Sequence, residues 1–435
     1  YLIYFNYQIR KHLESTIKMR KFCIFFVSIL LPIALFAQTK PYNIIIKGGH
    51  VIDPKNNINR VMDVAIKDGK IAKVASSIDA SEASNVVNAS GMYVTPGLID
   101  IHGHVFAGTE PNHMYSNGFN SIMPDGFYQR VGVTTVVDAG GSGWRDFQTF
   151  KTNIIDNSQT RVLAFLNIVG NGMRGGVIEQ NTTDMDAQVA AKAALAYKEH
   201  VVGIKVAHFT SPDFTNVDRG VAAGKLANMP VMIDFGGTKP RLSLYSLLME
   251  RLRPGDIFTH TFGELLDTKE AIVDTAKQAL KPFVMAAQKR GVIFDVGYGG
   301  SSFRYSQAIP AAKAGFHPNT ISTDLHISSM KGSMKDMLLV MSKFLKLGMD
   351  LPAVINASTW APAKAINRPQ LGHLTEGAIA DVAILSMRKG KFGFYDMQGF
   401  KMDSDEKLEC EMTIFGGKIV YDLNGIVIPL PDLTK

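Results

Sequence analysis

Between residues 96 and 365 the chain alternates apolar runs with helix-spaced stretches about eight times, and this rhythm restricts its fold more than any other feature. The apolar runs, read as strands, include GVTTVVDAGG, RVLAFLNIVG, HVVGIKVAHF, PVMIDFGG, DIFTHTFG, GVIFDVGYGG and TISTDLH. Between them, MDAQVAAKAALAYKEH and DTAKQALKPFVMAAQKR are Ala-rich with helical spacing. Strands buried on both faces and joined by helices form a parallel sheet, and at this length closure into an α/β (β/α)8 TIM-like barrel is expected.

The flanks follow another grammar. Residues 43 to 91 read as short strands with tight turns, and Asp68-Gly69 between alternating segments is a hairpin signal. Strands return in AIADVAILS and CEMTIFGGKIVYD. Residues 41–95 and 366–435 are therefore expected to build one small β-sandwich domain from both chain ends, beside a barrel at 96–365.

Residues 1–18 read as translated upstream sequence, and residues 19–37 as a signal peptide: a basic start at Arg20 and Lys21, an apolar run from Phe22 to Phe36, and Ala37. That run is shorter than the roughly 20 residues a spanning helix needs, so no stable membrane anchor is expected after cleavage. Loss of Arg10, Lys11, Lys18, Arg20, Lys21 and Glu14 lowers the formal charge from +7 to +3. The remaining Lys and Arg are mixed with Asp and Glu, which argues against a nucleic-acid partner. Cys410 would be the sole cysteine after cleavage, excluding an intrachain disulfide and a cysteine metal site. The expected location is secreted or periplasmic, and a homo-oligomer is left open.

Polar residues at strand ends carry the chemistry. His102 and His104 stand two apart on an extended segment, so both imidazoles can face one side and bind one cation. Lys205 lies in an apolar strand, where it either snorkels to the barrel mouth or reacts with carbon dioxide to give an anionic carbamate. His260 and Asp324 end further strands, as a structural imidazole or helix cap would, or as ligands would.

PGLIDIHGH near the start and LGHLTEGAIADVAIL near the end resemble the amidohydrolase superfamily over residues 43 to 422. GIKV, GDIFTHTF and FDVGYGGSSF resemble its dihydroorotase-like amidohydrolase/deacetylase branch. The resemblance implies one metal on His102 and His104, Lys205 as a carbamate bridging to a second metal, and His260 on that second metal. Asp324 would bind the first metal and shuttle the proton. The metal would be divalent, with zinc expected, one or two per chain.

The chain departs from the branch at Asp234, where a histidine is usual, and at Tyr298. Asp234 either keeps the second site through oxygen ligation or leaves one metal. Arg174, among glycines after a strand, is a candidate grip for a substrate carboxylate, and Tyr298 a candidate substrate contact. Gly140-Gly141-Ser142-Gly143 lacks a phosphate-loop pattern and is expected to be a mobile mouth loop, while His208, His326 and His373 receive no role.

The expected reaction is hydrolysis of an amide or ester of a small carboxylated molecule, as in a deacylase or deacetylase. A cyclic amidohydrolase of dihydroorotase or hydantoinase type is an alternative with the same catalytic residues. A catalytically impaired periplasmic ligand-binding relative is the alternative from another class.

Overall fold

The computed structural model describes residue 10 and residues 40–108, 121–265 and 267–428. The expected signal peptide at 19–37 lies outside the described residues.

Seven strands lie side by side and parallel: Leu98–Gly103, Val133–Ala139, Arg161–Asn167, Val201–Val206, Val231–Ile233, Ile257–Phe258 and Ile293–Phe294. All side chains of the first, second and fourth are buried, because barrel strands meet helices outside and each other inside.

Residues 320–325 supply the eighth stave. They bridge Asp295 to Thr320 on one side and Gly103 to Leu325 on the other, both in parallel sense. The amide of Asp324 donates to the His102 carbonyl at 2.6 Å and that of His104 to the Leu325 carbonyl at 3.0 Å. A buried carboxylate reinforces this short join: Asp295 accepts from the hydroxyls of Thr259, Thr320 and Ser322, each at 2.7 Å.

The outer helices begin where their caps dictate. Ala187–Ala196 starts at Asp186, whose carboxylate accepts from the amides of Gln188 and Val189. Helix over the whole of DTAKQALKPFVMAAQKR is corrected by the structure. Val273–Asp274 and Ala279–Leu280 form a two-stranded antiparallel hairpin, and helix occupies Pro282–Lys289 alone. Proline has no amide to donate, so it suits the first helical position and opens this helix late.

The chain ends form one nine-stranded branched sheet. Asp68 and Gly69, both at positive φ, turn Ile58–Lys67 into Lys70–Ala75. Ile46, Val64, Val87, Val94, Ile384 and Ile414, drawn from both chain ends, share its core.

The long hairpin of Val382–Tyr395 and Lys401–Phe415 reaches back onto the barrel. The carbonyl of Tyr395 accepts from Lys343 Nζ at 2.8 Å and Tyr298 Oη at 3.0 Å, and Asp396 accepts from the Tyr305 amide. This contact claims Tyr298, which is fully buried and stacked on Phe303.

Candidate active site

The six residues expected to carry metal chemistry lie at or just past the carboxyl ends of barrel strands. His102 and Lys205 are the fifth residues of their strands, Asp234 directly follows its strand, and His260 lies two residues beyond its own. Loops at that end are free to vary while the strands hold position. Together with His208, Lys269 and His326, these groups line a cavity of about 540 Å³.

The tightest cluster is His102, His104 and Asp324, whose ligand atoms all lie within 4.8 Å of one another. Asp324 Oδ1 is 2.9 Å from His104 Nε2 and 3.6 Å from His102 Nε2. Hydrogen bonds fix the ring orientations. Thr259 Oγ1 donates to Asp295, so it accepts from His102 Nδ1 at 2.9 Å and leaves the Nε2 lone pair facing the cavity. His260 does the same by donating from Nδ1 to the Gly297 carbonyl at 2.5 Å.

Charge states suit cation binding. Burial first, then Lys205 nearby, pushes the His102 imidazolium down to about 3, so the ring is neutral at physiological pH. Burial alone would raise the Asp324 carboxyl, but the surrounding imidazoles, His102 foremost, outweigh it and hold the group well below the usual carboxylate range. A neutral imidazole and an ionised carboxylate are the forms in which these side chains ligate metals.

Lys205 is completely buried, and its Nζ contacts His102 Nε2 at 3.3 Å and Met232 Sδ at 3.8 Å, neither a counter-charge. Burial lowers its basicity. The snorkelling alternative does not describe this lysine, because its head ends inside the barrel.

Asp234 Oδ2 lies 3.4 Å from His260 Nε2 and 3.7 Å from His208 Nε2. Burial opposes its ionisation, but His260, Lys205 and His208 outweigh burial and hold the carboxyl well below its usual range. His208, His260 and Asp324 all adopt φ near +50°. For residues with a Cβ this region costs about 1–3 kcal/mol, a strain that persists where surrounding structure fixes it.

The two expected substrate contacts are placed elsewhere. Tyr298 is held by Ser333, Lys343 and the Tyr395 carbonyl, away from the cavity wall. Arg174 donates to the Asn171 carbonyl at 3.1 Å and pairs with Asp146 at 3.4 Å, also outside the described lining. Gly140 to Gly143 are buried rather than mobile at the mouth: Gly140 packs on the Lys205 stem, and the amides of Gly141 and Gly143 bond Asp138 and Asp146.

Sequence reasoning passed over His208, His326, Lys269, Thr259 and Asp295. His208 sits two residues past a strand, the same relation that singled out His260, so its signal was present. Lys269 enters the wall from a loop with no strand to mark it, and donates from Nζ to the His260 carbonyl at 2.9 Å.

Comparison with known proteins joins this geometry to a family. The amidohydrolase family model matches residues 304–420. A protein of Enterococcus faecalis named deacetylase is 30% identical over 394 residues, covering 88% of this chain and 99% of its own length. The chain belongs to the amidohydrolase family. As an amidohydrolase it is a hydrolase of carbon–nitrogen bonds, and the family implies a divalent metal, which the His102, His104 and Asp324 donor set fits. Solved relatives include an adenine deaminase, 29% identical with a TM-score of 0.77, covering 88% of this chain and 100% of its own. A dihydroorotase is 27% identical with a TM-score of 0.76, over 87% and 99% respectively.

Proposed function

We propose that this amidohydrolase is a zinc-dependent deacylase that cleaves an amide or ester of a small carboxylated molecule. The convergence of His102, His104 and Asp324 within 4.8 Å carries this reading, and similarity to a protein named deacetylase over nearly its whole length supports the acyl chemistry. Imidazole nitrogen with carboxylate oxygen is a donor set that suits zinc.

A divalent metal held by His102, His104 and Asp324 would activate water, bringing its pKa down to about 7, and would polarise the acyl oxygen. Asp324, ionised at the cavity wall, accepts the proton of the attacking water and returns it to the leaving nitrogen or oxygen. Lys205, fully buried and made less basic by that burial, would give up a proton and add through Nζ to the carbon of carbon dioxide, forming a carbamate. That carbamate would supply an anionic oxygen ligand near His102, which Lys205 Nζ approaches to 3.3 Å. Lys269, in the same wall, offers the cation for a substrate carboxylate in place of Arg174.

The leader at 19–37 supports export to the periplasm or beyond, and no helix among the described residues is long and apolar enough to cross a membrane. Cell fractionation tests this placement, and recovery of the chain with its leader intact in the cytosol would overturn it.

A substrate panel tests the activity: acylated amino acids, acylated hydroxy acids and cyclic imides, with protein prepared in zinc and bicarbonate. Turnover of the acylated acids is expected. Turnover of cyclic imides alone would replace the deacylase with the ring-opening alternative, which the dihydroorotase likeness favours. Turnover of none by the metal-loaded protein would overturn both.

A further inference from the structure

We propose that Lys343 is a positioning residue: it ties the long hairpin of the chain-end domain to the two mouth loops that follow the seventh and eighth staves, and so sets the spacing of the substrate cavity wall. This inference deepens the deacylase reading and rests on it for the substrate, though not for the geometry.

Cost is the first argument. Lys343 stands on the helix Met337–Lys346 and is completely buried. A buried ammonium is unfavourable unless its N–H groups are used. Nζ uses all three, donating to Tyr298 Oη at 2.7 Å, the Ser333 carbonyl at 2.6 Å and the Tyr395 carbonyl at 2.8 Å. None of these acceptors is a carboxylate, and burial pushes the ammonium down to about 7. An apolar residue of similar length would fill the space at less cost, so what the ammonium adds is the join.

Placement is the second argument, because the three acceptors come from three separate parts of the chain. Tyr298 belongs to the loop after the seventh strand, whose Gly300, Ser301 and Ser302 line the cavity. Ser333 follows the stave that brings Asp324 and His326 to the same cavity. Tyr395 ends the first strand of the hairpin, and its carbonyl also accepts from Tyr298 Oη at 3.0 Å. The two loops approach each other at the wall, where a Cβ on Gly300 would lie 3.9 Å from His326 Nε2.

The path from lysine to wall is short. Tyr298 stacks on Phe303 with ring centroids 4.4 Å apart, so the wall residues 300–302 are carried between two packed rings, one of them gripped by Lys343. Asp324 keeps anchors of its own: its amide donates to the His102 carbonyl at 2.6 Å, and Oδ1 lies 2.9 Å from His104 Nε2. Loosening the join therefore acts on substrate binding before it acts on metal or proton transfer.

The test uses the full chain loaded with zinc in bicarbonate. Amide exchange read by mass spectrometry follows the two loops, and steady-state kinetics on the acylated amino acid turned over best in the panel follows the site. Lys343→Met should speed exchange over residues 298–302 and 330–333 by about tenfold, with an unchanged circular dichroism spectrum. Its kcat/KM should fall by about 10–100-fold, chiefly through KM, with metal content unchanged. Tyr298→Phe keeps the ring and its stack but loses the hydroxyl; it should share the rise in KM, and it decides the matter should Lys343→Met misfold. The double variant should cost no more than Lys343→Met alone, because both side chains act through one join. Unchanged exchange in the folded variants, an unchanged KM, or fully additive effects would overturn the positioning role and leave the deacylase reading standing. Should wild type turn over none of the panel, the deacylase reading falls, and the exchange rates alone decide the join.

Discussion

Asp295 governs His102 from across the barrel through one hydroxyl, with Thr259 Oγ1 placed 2.9 Å from His102 Nδ1 and 2.7 Å from Asp295 Oδ2. Thr259→Val removes that hydroxyl while keeping the volume and the apolar stem. The His102 ring then loses its fixed tautomer, and metal affinity is expected to fall by about 10–100-fold with folding little changed. Metal titration beside thermal unfolding checks this, and unaltered affinity would show that the relay does not orient the ring.

Asp324 combines ligation with proton transfer. Asp324→Asn keeps an oxygen donor but cannot accept the proton, so turnover should fall by about 100- to 10,000-fold while metal remains bound. Steady-state kcat together with metal content measures it. Near-normal kcat would remove Asp324 from proton transfer.

Gly299 is required by the approach of that carboxylate. Its φ is +57°, and a Cβ there would lie 2.3 Å from Asp324 Oδ2. Gly299→Ala should therefore displace Asp324 and lower kcat as well as stability. Gly315, also at positive φ but with open space around it, is the control: Gly315→Ala should cost about 1 kcal/mol of stability and leave kcat unchanged. Equal effects on kcat would contradict the contact.

Asp63 gives a pH signature away from the site. Burial alone would raise its carboxyl, but Lys47 Nζ and the amides of Gly48 and Ile78 outweigh burial and hold it below its ordinary 3.8. The unfolded carboxyl titrates near 3.9, so the stabilisation is complete above that value and is lost as pH falls through the lower folded value. Asp63→Asn should cost about 1–3 kcal/mol at neutral pH and flatten the loss of stability below about pH 4. Urea midpoints across pH 2–7 check both expectations.

The legible parts of this molecule were those governed by local periodicity. Two-residue spacing placed His102 and His104 on one side, Asp68-Gly69 turned where its conformational freedom suggested, and apolar runs marked the barrel strands. Ala-rich composition misled over residues 274 to 280, where Pro282 delays the helix and a hairpin forms first. Tyr298 was hidden because its partners come from Lys343 and the hairpin end at Tyr395, contacts that no local pattern encodes. Asp295 and Thr259 were hidden for the same reason: their value lies in joining the sixth, seventh and eighth staves.

Metal content coupled to activity tests the central claim most directly. Protein purified with zinc and bicarbonate should retain metal, lose turnover on chelation and regain it with zinc, while the His102→Asn, His104→Asn double variant should lose the tightly bound metal and stay inactive. Full turnover by chelated, metal-free wild type, or undiminished metal in the double variant, would contradict the account.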